Sequence, residues 1–250
     1  MSSLVANLSI SSIAFVFAGL ALAGIIKGAT GLGYASTALP FLVHAVGLNT
    51  GIALVLLPAM ATNIAVAFGN GYLRETCHDY SALYLAMLPG IGAGLLLLAH
   101  IEAGVAVKSL GVTILVYSIL SLLRPRLVLT PPAAARLQVP VGLANGLLTG
   151  LTGSQVMPMV PYFLALDLEP KRMVQAINLG VTLASAILLG GLLLSGQAPL
   201  LVLRASALAI VPALAGVEIG QRLQRHINPS LLRSAILVVL GLAGAGLLLR

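Results

Sequence analysis

The chain has 250 residues, of which 59% are hydrophobic and only 8% charged, with 13 Lys and Arg against 6 Asp and Glu. An ordinary soluble domain carries roughly 25% charged residues, so this composition excludes a water-solvated fold and points to one integrated domain dissolved in lipid. The net charge of +7 does not indicate nucleic acid, because the cations sit singly or in pairs between apolar stretches with no basic, aromatic-studded run.

The N-terminal MSSLVANLSISS lacks the basic n-region and cleavage site of a signal peptide and reads as mature sequence. Five apolar stretches, a to e, follow at about 13–26, 32–46, 51–69, 81–99 and 104–123. RPRLVLTPPAAAR, residues 124–136, reads as a linker because its arginines and Pro131-Pro132 break helix. Five more stretches, a′ to e′, run at about 137–150, 154–166, 173–194, 198–220 and 230–249. The expected units are therefore a first transmembrane repeat at 1–123, the linker, and a second repeat at 137–250. Cys77 is the only cysteine, so an internal disulfide is impossible.

Stretches c, d and e of each half are long enough to span. The a and b stretches are short: a 14-residue helix covers roughly 21 Å of a roughly 30 Å hydrocarbon core. They predict either a re-entrant hairpin or, if Leu4 to Ile10 extends the first, two tilted spans. In both cases the chain returns to the side it came from. Lys27, Arg74, Arg124, Arg126, Arg136, Lys171, Arg172, Arg222 and Arg225 then collect on one face, with Arg233 nearby, against Lys108, Arg204 and Arg250 on the other. The first face reads as cytoplasmic. An odd number of crossings per half inverts the second half relative to the first. The fold class expected is all-α: a polytopic transmembrane bundle of two pseudosymmetric, inverted repeats, with eight to ten spans and broken or re-entrant helix pairs.

The duplication is written in G-x-x-x-G-x-T-G, which occurs as Gly24, Gly28, Thr30 and Gly31 and again as Gly146, Gly150, Thr152 and Gly153. Pro40 follows the first copy, and Pro158 and Pro161 the second, so these prolines and Gly24, Gly146 and Gly150 read as hinge or structural residues. His100-Ile101 matches His226-Ile227, Lys108-Ser109 matches Arg233-Ser234, and Pro89 matches Pro212, at slightly drifting offsets. Paired Gly/Pro interruptions in two hydrophobic halves point to a transporter's binding site. Small residues four apart also serve helix packing.

The turns carry the candidate site. Gly28, Thr30, Gly31 and Gly33 in the first half, with Thr152, Gly153, Ser154 and Gln155 in the second, combine free backbone with hydroxyls and an amide. Such backbone survives at membrane depth only against protein or a water-filled cavity. The helix that follows each turn offers free N–H groups to an anion. Lys27 beside the first turn is either an anion's partner at the membrane centre or a cytoplasmic anchor. Asn63, and Asn178 with Thr182, place polar groups inside c and c′, to bond between helices or to line the path. Glu218 lies four residues before Arg222 and reads as its ion-pair partner. No phosphate-loop pattern, metal-ligand spacing or catalytic triad is present, so neither enzyme chemistry nor a cofactor is expected.

The paired Gly-rich turns with their prolines, Pro89 and Pro212 in the d spans, and the total length resemble the TauE/SafE sulfite-exporter-like family. The resemblance covers nearly the whole chain. It implies a secondary transporter of sulfite, organosulfonates or related small anions in the bacterial inner membrane. Its partners would be a small anion and the bilayer, with a proton or sodium gradient as the source of coupling and homo-oligomerisation left open. The first turn has a shorter glycine run than is usual in the family, and Ser154-Gln155 stand where further glycines would be in the second. The alternatives are a ten-span exporter of drugs or metabolites and a non-transporting membrane scaffold. Thr152→Val and Lys27→Ala are expected to weaken anion binding.

Overall fold

The computed structural model describes residues 10–67, 71–123, 128–224 and 229–249. Arg124, Arg126, Arg225, His226-Ile227 and Arg250 lie outside the described residues, as does most of the N-terminal segment. The described residues form twelve α-helices and no strand: α1 Ile10–Thr30, α2 Tyr34–Val46, α3 Leu48–Ala67, α4 Leu73–Asp79, α5 Ser81–His100, α6 Ala103–Leu123, α7 Pro131–Thr152, α8 Met159–Leu164, α9 Pro170–Leu194, α10 Leu200–Leu208, α11 Ile210–Gln224 and α12 Pro229–Leu248. Among the described residues five segments are long and apolar enough to cross a membrane: Leu48–Ala65, Ser81–His100, Ala103–Leu123, Pro170–Leu194 and Leu200–Gln224. Ala14–Thr30, Tyr34–Val46 and Ser234–Leu248 are shorter apolar helices.

Three elements differ from the sequence expectation for identifiable reasons. Helix α1 has 21 residues, about 31 Å, because it continues past stretch a over Ile10 to Ser12 and through Lys27 to Thr30, where Lys27 and Ala29 are buried and Gly28 packs on the Val217 backbone. Helix α7 begins at Pro131, inside the expected linker: prolines in a first helical turn forfeit no hydrogen bond, so Pro131-Pro132 open this helix. Stretch d′ is divided at Ala209 into α10 and α11, since the Pro212 ring stands against the carbonyl four residues earlier, at Leu208.

Helices α1 and α2 form a hairpin, with Phe15 near the start of α1 stacked 5.6 Å from Phe41 and 5.4 Å from His44 near the end of α2. The second hairpin also returns to its own side: the Tyr162 hydroxyl donates to the carbonyl of Ala134, near the start of α7. At that end Gln138 donates to the Asp79 carbonyl, and Arg172 pairs with the Asp79 carboxylate. The start of α7, the α4–α5 junction and the start of α9 therefore share one face with Arg136 and Lys171. On it Tyr72 donates to Glu169 at 2.8 Å, and this hydrogen bond, reinforced by the carboxylate's charge, raises the Tyr72 phenol above its ordinary pKa. Glu218 and Arg222 form the expected i, i+4 pair on α11. Cys77 on α4 is exposed.

The helices pair across the two halves. A Cβ at Gly24 would lie 2.4 Å from the Ala213 carbonyl oxygen and 3.0 Å from Gly216 Cα, and one at Gly28 only 2.0 Å from the Val217 oxygen. Since 24 faces 213–216 and 28 faces 217, α1 and α11 run parallel at backbone contact. Gly146 meets Gly90 and Gly150 meets Gly94 in the same way, so α7 and α5 are also parallel. Gly111 faces Gly244 while Gly241 faces Ser118, so α6 and α12 run antiparallel. Helix α3 packs on α9. With little hydrophobic drive between helices in lipid, close backbone approach supplies the dispersion contacts that hold such pairs.

Candidate functional site

The two turns are made differently and meet. At the first, Thr30 ends α1, its hydroxyl donating to the Ile26 carbonyl (2.8 Å) and the Leu32 carbonyl (3.0 Å). Gly33, at φ 84°, then turns the chain into α2, a conformation that a residue with a Cβ adopts only under strain. At the second, Gly153 takes the left-handed cap at φ 74° and is followed by irregular backbone up to the six-residue α8. The expected second helix N-terminus at the centre is therefore not formed: Pro158 and Pro161 lie close after Gly153, and residues 154–158 stay outside the helix. Asn145 supports this irregular passage by donating to the carbonyls of Gln155 (3.2 Å) and Met157 (2.9 Å).

The Ser36 and Ser154 hydroxyls lie 3.3 Å apart and join the two turns. Between the turns is a cavity of about 20 Å³, lined by residues of both, Gly33 to Ser36 and Gln155 to Val156, and by Lys27 and Asn63. Space of this size holds about one water molecule. A second cavity of about 140 Å³, lined by Thr30, Thr37, Tyr117, Met173 and others, shares Leu32, Gly33 and Val160 with the first. Its wall comes from the ends of α1 and α6, the first turn of α9 and the middle of α12.

Lys27 is 2% exposed, which excludes the surface-anchor reading. Its ammonium donates to Asn63 Oδ1 at 2.6 Å and to Asn178 Oδ1. Asn178 in turn donates to the Gly31 carbonyl (3.1 Å) and the Val174 carbonyl (2.8 Å), tying the lysine to the turn backbone. No carboxylate pairs with Lys27 among the described residues. A buried cation is costly even when fully paired, and amide dipoles offset only part of that cost.

Several predicted residues thus converge: Lys27, Asn63 and Asn178 through one hydrogen-bond chain, Gly33 and Gln155 on the cavity wall, Ser154 through Ser36. Gly31 contributes its carbonyl. Gly24, Gly28, Gly146 and Gly150 face other helices, and Pro40 lies inside α2. Thr152 turns its hydroxyl away from the cavity, donating to the Leu148 carbonyl (2.6 Å) and accepting from the Ser154 N–H (3.2 Å). It acts on the site through the shape of the turn. Thr152→Val leaves that buried N–H unpaired, and the expected cost of about 1–3 kcal/mol is read as a lower melting temperature in detergent.

Sequence reasoning missed Tyr34, Ser36 and Ser185. Gln155 Nε2 donates to the Ser185 hydroxyl at 2.9 Å. Tyr34 Oη and Asn63 Nδ2 are buried on the cavity wall and make no hydrogen bond among the described residues. Ser36 and Thr37, a polar pair inside stretch b, were the one signal that could have marked this wall. Among the described residues no group of three or more His, Cys, Asp or Glu is placed to hold a metal ion.

No curated protein and no solved structure matches the chain. The family model for the sulfite exporter TauE/SafE matches residues 16–247, a span that takes in both turns, Lys27 and every cross-half helix pair. An all-helical protein with several helices apolar enough to cross a membrane agrees with that match, and the chain belongs to the TauE/SafE sulfite exporter family, a family of membrane transporters and not of enzymes.

Proposed function

We propose that the protein is a secondary transporter that carries sulfite, an organosulfonate or a related sulfur oxyanion across the bacterial inner membrane by alternating access. The observation that carries this reading is the Lys27 ammonium, buried between the two turns with amide oxygens as its described partners. An anion is the partner that offsets its charge most directly. The first turn of α2 adds unpaired N–H groups at the same wall. Family membership supports the sulfur-anion substrate class, and the family's description as sulfite exporters favours outward movement.

The helix pairing supports an inverted repeat. Exchanging α1 with α7, α3 with α9, α5 with α11 and α6 with α12 maps the α1–α11 contact onto α7–α5 and returns the α3–α9 and α6–α12 contacts to themselves. On this reading each hairpin enters from one face, the tips meet within the bilayer, and the face bearing Arg136, Lys171 and Arg172 is cytoplasmic. The inter-turn cavity is too small for a four-atom oxyanion, so binding requires the walls to part. Leu32, Gly33 and Val160, shared with the larger cavity, form the barrier that moves. A proton or sodium gradient, or the substrate's own, supplies the energy.

Purified protein in liposomes is expected to move radiolabelled sulfite down an imposed gradient, with unlabelled methanesulfonate competing. Absence of flux for sulfite and for organosulfonates under every imposed gradient returns the protein to the scaffold reading. Competition by organic cations in place of anions returns it to the drug-exporter reading.

A further inference from the structure

The inter-turn cavity combines a small fixed positive charge with an apolar wall, and together they select among anions. Among its thirteen lining residues Lys27 is the one with a basic side chain, and none is acidic. The start of α2 adds the unpaired N–H groups of its first turn, worth about half an elementary charge, while the Thr37 N–H is already bonded to the Gly33 carbonyl. The remaining polar wall is neutral: Asn63, Gln155, Ser36 and Tyr34. Against about one and a half positive charges a monoanion and a dianion each leave about half a charge unbalanced, so the count alone does not choose between them. Desolvation makes the choice: in a site walled by Leu32, Val156, Val160, Ile177 and Val181, the cost of stripping water from an anion grows with the square of its charge, while its attraction to the fixed positive charge grows only in proportion, so the dianion is penalised.

No other ionised group is aimed at the cavity from the described elements packed around Lys27. On α11, Glu218 and Arg222 pair with each other at the surface. On α9, Lys171 is exposed and Arg172 pairs with Asp79. His44 is exposed at the far end of α2, α3 has no titratable side chain among its described residues, and Tyr162 on α8 donates to Ala134. Tyr34 is the one titratable side chain that shares the wall. Its hydroxyl and Asn63 Nδ2 are the two buried, unpaired donors there among the described residues.

Resting on the anion-transport reading, we infer that this site accepts monoanions, hydrogensulfite and alkanesulfonates, and rejects the sulfite dianion, with the Tyr34 hydroxyl and Asn63 Nδ2 donating to the anion's oxygens beside Lys27. The selectivity follows from one full charge in an apolar enclosure, with neutral donors completing the oxygen contacts.

Calorimetric titration of the full chain in lipid nanodiscs, with sodium sulfite and with sodium methanesulfonate across mildly acidic to mildly alkaline pH, tests this. Methanesulfonate keeps one charge throughout and reports the protein's own titration. Sulfite loses its second proton within that range. The ratio of the sulfite Kd to the methanesulfonate Kd is expected to rise with pH, approaching about tenfold per pH unit once the dianion dominates. A ratio that stays flat or falls overturns the monoanion inference and leaves the anion reading intact. Failure of both anions to bind at any pH overturns the reading of the site itself. Tyr34→Phe, which removes only an unpaired hydroxyl, is expected to weaken both anions about tenfold, and unchanged affinity removes Tyr34 from the donor set.

Discussion

Lys27→Met is expected to abolish anion binding while leaving the protein as stable as the parent or more so. The two halves of this result come from the same physics. A buried ammonium held by two asparagine oxygens costs several kcal/mol of desolvation that dipoles repay incompletely. An apolar side chain of similar length removes that cost, and a water in the small cavity can serve the Asn63 and Asn178 oxygens, whose loss of a donor otherwise costs about 1–3 kcal/mol each. The anion loses its one full countercharge, and removing one partner of a buried charge pair costs about 3–5 kcal/mol, more than a hundredfold in affinity. Calorimetry against methanesulfonate and a thermal scan in detergent check the two halves separately. A variant that binds as tightly as the parent removes Lys27 from the site. A variant that loses binding only by unfolding assigns Lys27 a structural role. Lys27→Ala tests the same loss with a cavity added.

Gly28→Leu is expected to eliminate folded protein. A Cβ at Gly28 would sit 2.0 Å from the Val217 carbonyl oxygen and 2.9 Å from Val217 Cα, and neither is a flexible side-chain end that could swing aside. The helices must separate, and with them the neighbouring contacts of Gly24 with Gly216 and of Gly220 with Ile25. Overpacking a well-packed site typically costs about 1–3 kcal/mol and more where backbone must move, and here the whole α1–α11 seam moves. Gly150→Leu, opposite the Ile91 oxygen at 2.3 Å, is expected to do the same to the α7–α5 seam. Size-exclusion profiles of detergent extracts decide both. By contrast, a methyl group added at Gly246 would meet nothing within 4 Å, so Gly246→Ala serves as the neutral control.

The parts of the fold that the sequence announces are those with long uninterrupted apolar runs. Stretches d, e and e′ match α5, α6 and α12 to within a residue or so at each end, because polar residues, Gly or Pro bracket them. The duplicated G-x-x-x-G-x-T-G also located both turns, since backbone freedom is needed there. Its partner sequences, Gly90 with Gly94 and Gly216 with Gly220, went unread because a small residue in an apolar helix does not say which helix it faces. Prolines misled twice, at Pro131-Pro132 and at Pro212, where the same ring chemistry opens one helix and interrupts another. Of the site, Lys27, Asn63, Asn178 and Gln155 were legible as polar groups out of place in lipid. Tyr34 and Ser185 were not, since an isolated tyrosine or serine is ordinary in a membrane helix until a partner or an empty donor is seen, and Ser36 was signalled only by its pairing with Thr37.

The cross-half pairing also governs how the protein can be made. Helix α1 leaves the ribosome before the other described helices, yet the glycines it leans on, Gly216 and Gly220, lie in α11 and are synthesised far later. For most of translation its grooved flank must rest against lipid or a helper protein, and α5 waits in the same way for α7, though more briefly. Docking of the earliest helix onto one of the latest makes assembly a closing step that neither half completes alone, in keeping with the slow formation of contacts distant along a chain. Co-expressed halves are therefore expected to recover a folded particle only when both are present in the same bilayer.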